Sequence, residues 1–155
     1  LNPTAKKSIL EADLIIIGPG DHYASLLSTL VVPGIKDAFK KTNAKVMYIS
    51  NLMTRRTQTH EMSISDHLGE IEEAIDKKVD YILINDSEIP ENILRIYATE
   101  QEFPVKDDLH GDNRIIRAEL LLDKVVEKKE NDTAHRSFLR HDSKKLERVF
   151  KKVLS

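Results

Sequence analysis

The 155 residues carry 24 Lys and Arg against 26 Asp and Glu, a formal net charge of −2, with 40% hydrophobic residues and no cysteine. That balance excludes a chain built for nonspecific nucleic-acid binding or for anionic lipid surfaces. The missing thiols exclude disulfides and thiolate zinc sites and fit a cytoplasmic location. No apolar run approaches the roughly 20 residues of a membrane-spanning helix, and the length suits one domain with a real core.

Asn2 or Thr4 with Pro3 marks a helix start, and a short amphipathic helix to about Glu11 leads into a strand over Asp13 to Ile17. That apolar run breaks at Gly18-Pro19-Gly20. From Tyr23 to Lys41 apolar residues recur at helical spacing, interrupted at Val32-Pro33-Gly34, which predicts two helices joined by a turn. Lys45 to Ser50 is a second strand, and Met53 to Ser63, polar and without a clear period, reads as loop. Ser65 to Lys77 is a helix capped by Ser65 or Asp66, with Ile71 and Ile75 on one face. Val79 to Ile84 is a third strand, apolar at most positions as in a sheet covered on both faces. Pro90 to Tyr97 is a helix, and Arg114 to Leu122 contributes a fourth strand. The charge run Lys124 to Glu130 reads as the exposed face of a helix. Asp142 to Leu154 closes the chain as an amphipathic helix with Leu146, Val149, Phe150 and Val153 inward. Strands alternating with helices predict one parallel α/β domain over residues 1–155. The chain opens Leu1-Asn2-Pro3 without a methionine and reads as the C-terminal portion of a longer one.

Ligands of open parallel sheets bind outside the carboxyl ends of the strands, usually where strand order reverses. The first such end carries Gly18 to Ser25. Gly18 and Gly20 lack a Cβ, so their amides can approach a ligand and the backbone can take positive φ. A following helix would aim its unpaired N–H groups at the same point, a corner suited to phosphate. The pattern is neither a Walker loop nor the dinucleotide fingerprint, and it equally describes a strand-ending turn without a ligand. The second end carries Ser50 to Arg56, where Asn51 and Thr54 offer hydrogen bonds and Arg55 or Arg56 a bidentate guanidinium. The third ends at Asn85-Asp86. His60-Glu61 and Asp107 to His110 hold metal-ligand types without a spacing that fixes geometry. The triplets beginning at Asn85 and Asn131 match the glycosylation pattern by chance.

Ala12 to Gly20 with Tyr23 and Ser25, Val32-Pro33-Gly34-Ile35, Tyr48, Asn51-Leu52-Met53-Thr54, Ser65-Asp66-His67, Val79-Asp80, Ile84-Asn85, Arg140-His141-Asp142 and Lys145-Leu146 stand in one order along nearly the whole chain. This series resembles the gluconeogenesis factor family, the YvcK-like proteins, which is related to the 2-phospho-L-lactate transferases (CofD). The resemblance implies a Rossmann-like parallel sheet with helices on both faces, here without the family's N-terminal strand and Gly-rich loop. It implies a nucleotide-sugar ligand of the UDP-N-acetylglucosamine type and a regulatory role in gluconeogenic growth, cell shape and peptidoglycan synthesis. In the transferase relatives a phospho-lactyl group moves from a guanosine diphosphate donor with a divalent metal, so Mg²⁺ enters as the one cofactor to test. The expected partners are thus a nucleotide sugar or nucleoside diphosphate, with no nucleic acid and no membrane span; a second copy of the chain stays open.

The ligand-binding residues expected from the resemblance are Gly18, Pro19, Gly20, Asp21, Tyr23, Ser25, Asn51, Met53, Thr54, Thr59, Asp66 and His67. No catalytic residue is assigned. Three departures stand out: the family usually has Ser at Asp21, Thr at Ala24 and Pro at Ser28. After Thr54 it usually reads Gln-Pro-Gly-Glu-Thr, of which Arg55 to Thr59 retains only Thr59. Asp21 matters most, because a carboxylate beside phosphate repels it unless a cation intervenes. Metal bridging or helix capping by Asp21 would resolve the conflict. His67 could contact substrate, His141 could reach a phosphate, and Asp142 explains itself as a cap. Asp80 serves equally as a structural cap or a ligand contact.

Overall fold

The structure, a computed structural model, describes residues 1–123 and 138–154. The helix expected over Lys124 to Glu130 and the triplet at Asn131 lie outside the described residues.

Asn2 caps the first helix, α1 (Pro3–Glu11), its side chain accepting the Thr4 amide at 2.8 Å. The strands β1 (Leu14–Ile17), β2 (Lys45–Ile49), β3 (Tyr81–Asn85) and β4 (Ile115–Ala118) pair in parallel as one sheet in the order β1-β2-β3-β4. Between β1 and β2 lie a π-helix (His22–Leu27), a three-residue α2 (Ser28–Leu30) and α3 (Ile35–Lys41). The remaining helices are α4 (Ile64–Ile75), α5 (Glu91–Thr99) and α6 (Ser143–Leu154).

Strand residues alternate between faces, which sorts the core into two layers. Val46, Tyr48, Ile82 and Ile84 pack with Leu30, Ile35, Phe39, Leu68, Ile71 and Ile75 from α2, α3 and α4. Met47, Ile49 and Leu83 point the other way, against Leu146, Val149, Phe150 and Val153 of α6. Helices thus cover both faces, and the inward side of α6 is the one read from its pattern. A third cluster, Ile93, Tyr97, Leu121 and Leu139, seats α5 beside the carboxyl edge. No helix among the described residues is long and apolar enough to cross a membrane.

Two local expectations are corrected. The cap of α4 is Ser63, not Ser65 or Asp66: Ser63 Oγ accepts the Asp66 amide, and the Asp66 carboxylate accepts the Ser63 amide at 2.8 Å. Asp66 stands at the third helical position of this capping box, where a carboxylate reaches back to the cap. The first element after Gly20 is not an α-helix from its start. Both the Ser25 and the Leu26 amides donate to Asp21 O, at 2.8 and 3.1 Å, which opens the first turn to π geometry.

The strand order also runs without reversal, so the described residues contain no internal switch point. At the amino edge Asp80 is structural: it accepts Lys45 Nζ at 2.7 Å and the Val46 amide at 2.9 Å, tying β3 to β2.

Candidate functional site

Four stretches of chain converge above the carboxyl ends of β1 and β2. Pro19, Gly20 and Asp21 leave β1; Asn51 to Arg55 leave β2. Tyr97 and Glu102 come from α5 and the turn after it, and Leu139 to His141 with Leu146 come from the approach to α6 and its first turns. Together they enclose a cavity of about 490 Å³, within the usual size of small-ligand sites.

The first two stretches are held to each other by one side-chain amide. Asn51 Nδ2 donates to Gly20 O at 2.9 Å, and the Gly20 amide donates to Asn51 Oδ1 at 3.3 Å. Asn51 therefore pairs with Gly20 as a neighbouring strand would. Neither Gly18 nor Gly20 has positive φ, contrary to the expectation. A Cβ on Gly18 would meet nothing within 4 Å, and one on Gly20 would make only ordinary contact with Ser25 Cβ at 3.6 Å. The fold does not require glycine at either place; what glycine leaves there is room for close approach to the main chain.

The second stretch is pinned from behind. Thr54 N donates to Phe103 O at 2.7 Å, the Phe103 amide donates to Thr54 Oγ1 at 3.0 Å, and Met53 bridges Pro104. Buried Thr59 accepts the Arg55 amide on Oγ1 at 2.8 Å and thereby sets where the Arg55 side chain begins. That guanidinium reaches across the cavity wall. Its Nε lies 3.4 Å from Asp21 Oδ1 and its Nη1 3.3 Å from Glu102 Oε1. Asp21 makes no side-chain cap to the following helix, so capping is not how its charge is accommodated: its carbonyl accepts the first helical bonds, from the Ser25 and Leu26 amides, and its carboxylate turns to Arg55.

At the far lip stand exposed Arg140 and half-buried His141. Burial lowers the His141 pKa to about 4, so its ring is neutral near pH 7, and its buried Nε2 has no hydrogen-bond partner. Asp142 accepts the Lys144 and Lys145 amides at 2.8 and 2.9 Å, which makes it the α6 cap.

Of the twelve residues expected from the sequence, the cavity wall gathers Pro19, Gly20, Asp21, Asn51, Met53 and Thr54. Gly18 adjoins them in sequence, and Thr59 supports Arg55 from below. The other four lie elsewhere. Ser25 is exposed on the π-helix. Tyr23 donates to Glu70 Oε1 at 3.0 Å on the outer side of α4, where Asp66 also lies. His67 is fully buried, stacked on His22 at 4.5 Å between ring centroids, with Tyr48 OH 3.5 Å from its Nδ1. Burial, with the His22 ring beside it, lowers the His67 pKa to about 4. His22, a residue no pattern singled out, joins that layer to α4 through Nε2, 2.8 Å from Glu70 Oε2. The residues missed were Tyr97, Glu102 and Leu139, whose local sequence carries only the amphipathic signal of a helix and its end.

The implied divalent metal can be tested on the donors present. Both cavity carboxylates, Asp21 and Glu102, face Arg55. Among the described residues no group of three or more His, Cys, Asp or Glu is placed to hold a metal ion. The donor set does not fit a protein-held divalent cation.

An open parallel sheet with a ligand-sized cleft at its carboxyl edge defines the class. The sequence profile of the 2-phospho-L-lactate transferase CofD family matches residues 1–150, and the chain belongs to that family. A Thermotoga maritima relative named as a candidate gluconeogenesis factor is 35% identical over 97% of this chain and 47% of its own. The Bacillus subtilis gluconeogenesis factor is 37% identical over 89% of this chain and 42% of its own. A crystal structure of a UPF0052 family protein from Bacillus halodurans superimposes with a TM-score of 0.81 at 31% identity, covering 99% of this chain and 46% of that one. The chain thus spans about half the length of the relatives it matches.

Proposed function

We propose that this chain contributes the binding site for a nucleotide sugar of the UDP-N-acetylglucosamine type and serves as a regulator of carbon metabolism, cell shape and peptidoglycan synthesis. The observation that carries the reading is the cavity at the carboxyl ends of β1 and β2, walled by the Gly20 main chain and the Asn51 to Arg55 loop. Diphosphate would lie along Pro19 to Asp21, where the missing Cβ at Gly20 permits approach, with Arg140 facing it from the other lip. Met53, Tyr97 and Leu139 offer apolar surface to the sugar or nucleoside. The name shared by the curated relatives supports a regulatory binding role.

The family description, a 2-phospho-L-lactate transferase, favours a second reading: a transferase that moves a phospho-lactyl group, with the guanosine diphosphate donor that the resemblance implies. Thermal-shift titration of the full chain against UDP-N-acetylglucosamine and GDP, with and without magnesium, separates the two. A ligand at a hundredfold its Kd stabilises by about 2.7 kcal/mol, a shift of several degrees. A shift with the UDP-sugar and none with GDP is expected. A magnesium-dependent GDP shift would transfer the assignment to the transferase, and silence from both would overturn nucleotide binding.

A further inference from the structure

The cavity contains a charge problem and its answer. Glu102 is buried, with only 8% of its side chain exposed, and Asp21 stands at the mouth with 42% exposed. Two carboxylates in a partly dry wall repel each other and any phosphate placed between them. Arg55 contacts both, through different guanidinium nitrogens, from a backbone fixed by two 2.8 Å bonds with Thr59. A guanidinium is planar, permanently charged and forked, so one such group serves two oxygens at once. A divalent cation in a diphosphate site has the same electrostatic task of offsetting carboxylates and leaving positive potential for the anion.

We propose that Arg55 is the resident cation of this site, the counter-ion of Asp21 and Glu102, and that the site therefore takes its diphosphate ligand without a divalent metal. The proposal rests on the nucleotide-binding reading above. It makes Arg55 a positioning residue for charge: it acts on the ligand through Asp21 and Glu102.

Isothermal titration with UDP-N-acetylglucosamine, in EDTA and in magnesium, tests it on four proteins: the natural chain, Asp21→Ser, Arg55→Gln and the double variant. The natural chain is expected to bind equally in both buffers. Arg55→Gln is expected to lose at least tenfold in EDTA and to recover part of that in magnesium. The double variant is expected to recover part of that loss without metal, because the Asp21 carboxylate has gone with its counter-ion while the buried Glu102 keeps its charge. Magnesium dependence in the natural chain, full affinity in Arg55→Gln, or a double variant as weak as Arg55→Gln would each overturn the proposal; the last would make Arg55 a direct phosphate ligand.

Thermal unfolding of the same four proteins without ligand keeps the two readings apart. Arg55→Gln is expected to lower the melting temperature more when residue 21 is Asp than when it is Ser. Equal drops overturn the counter-ion role. Unequal drops with no ligand response in any of the four support the counter-ion pair and overturn nucleotide-sugar binding instead.

Discussion

Asn51 does more for the site than its place in a loop suggests. Its amide satisfies both the N–H and the C=O of Gly20, so it fixes the separation of the β1 and β2 loops. Asn51→Ala removes both bonds in a part-buried setting. The expected cost is about 1–2 kcal/mol, read as a drop in melting temperature with a matching loss of ligand affinity; an unchanged melting temperature would show the clamp does not form. Gly20→Ala makes the opposite case. Its φ is not positive and its Cβ finds only ordinary contact at 3.6 Å. Stability is expected to stay level or to rise by about 0.4–1 kcal/mol through the unfolded chain. Affinity for UDP-N-acetylglucosamine is expected to fall, and undiminished affinity would place the ligand elsewhere.

At the scale of the element, helix α4 depends on its first turn. The capping box of Ser63 and Asp66 satisfies amides at the same point where Ser65 Oγ donates to Asp108 at 2.6 Å. Ser63→Ala is expected to cost about 1 kcal/mol in urea denaturation, with ligand affinity retained, since neither Ser63 nor Asp66 lines the cavity. The residues of β1 to β3 were legible because buried parallel strands are short apolar runs, and α6 because its apolar positions follow the helical period. The π-helix at His22 was not legible: an i+5 bond leaves the same apolar spacing as an i+4 bond over a single turn. The cap at Ser63 was missed by two residues because Ser63, Ser65 and Asp66 are all good caps in sequence. The choice among them is made by the Ile64 amide donating to Lys106 O, which fixes where the chain turns.

At the scale of the molecule, sequence could give the two loops of the site, since each follows directly from a strand. It could not give Glu102 or Leu139, because their nearness to Gly20 comes from how α5 and α6 pack on the sheet. Packing also buries two rings, His67 between α4, β2 and the π-helix and His141 at the approach to α6, both with pKa lowered to about 4 against about 6.5 when unfolded. Between those values the unfolded chain binds more protons, so stability rises with pH across that window. Full stability is expected above about pH 6.5. It is lost progressively as pH falls toward 4, by at most on the order of 3 kcal/mol for each ring. Urea midpoints measured at steps from pH 7 to 4 check this, and a flat profile would mean the rings are not buried in the neutral form.

The central claim is that ligand binds in the cleft between the β1 and β2 loops. The most direct measurement is amide-resolved NMR of the full chain titrated with UDP-N-acetylglucosamine. The expected result is a set of shifts at Gly20, Asp21, Asn51 to Arg55 and His141, with Asp66 and Glu73 on the outer side of α4 unmoved. Shifts confined to Tyr23, Asp66 and Glu70 to Glu73, or none at saturating ligand, would contradict it.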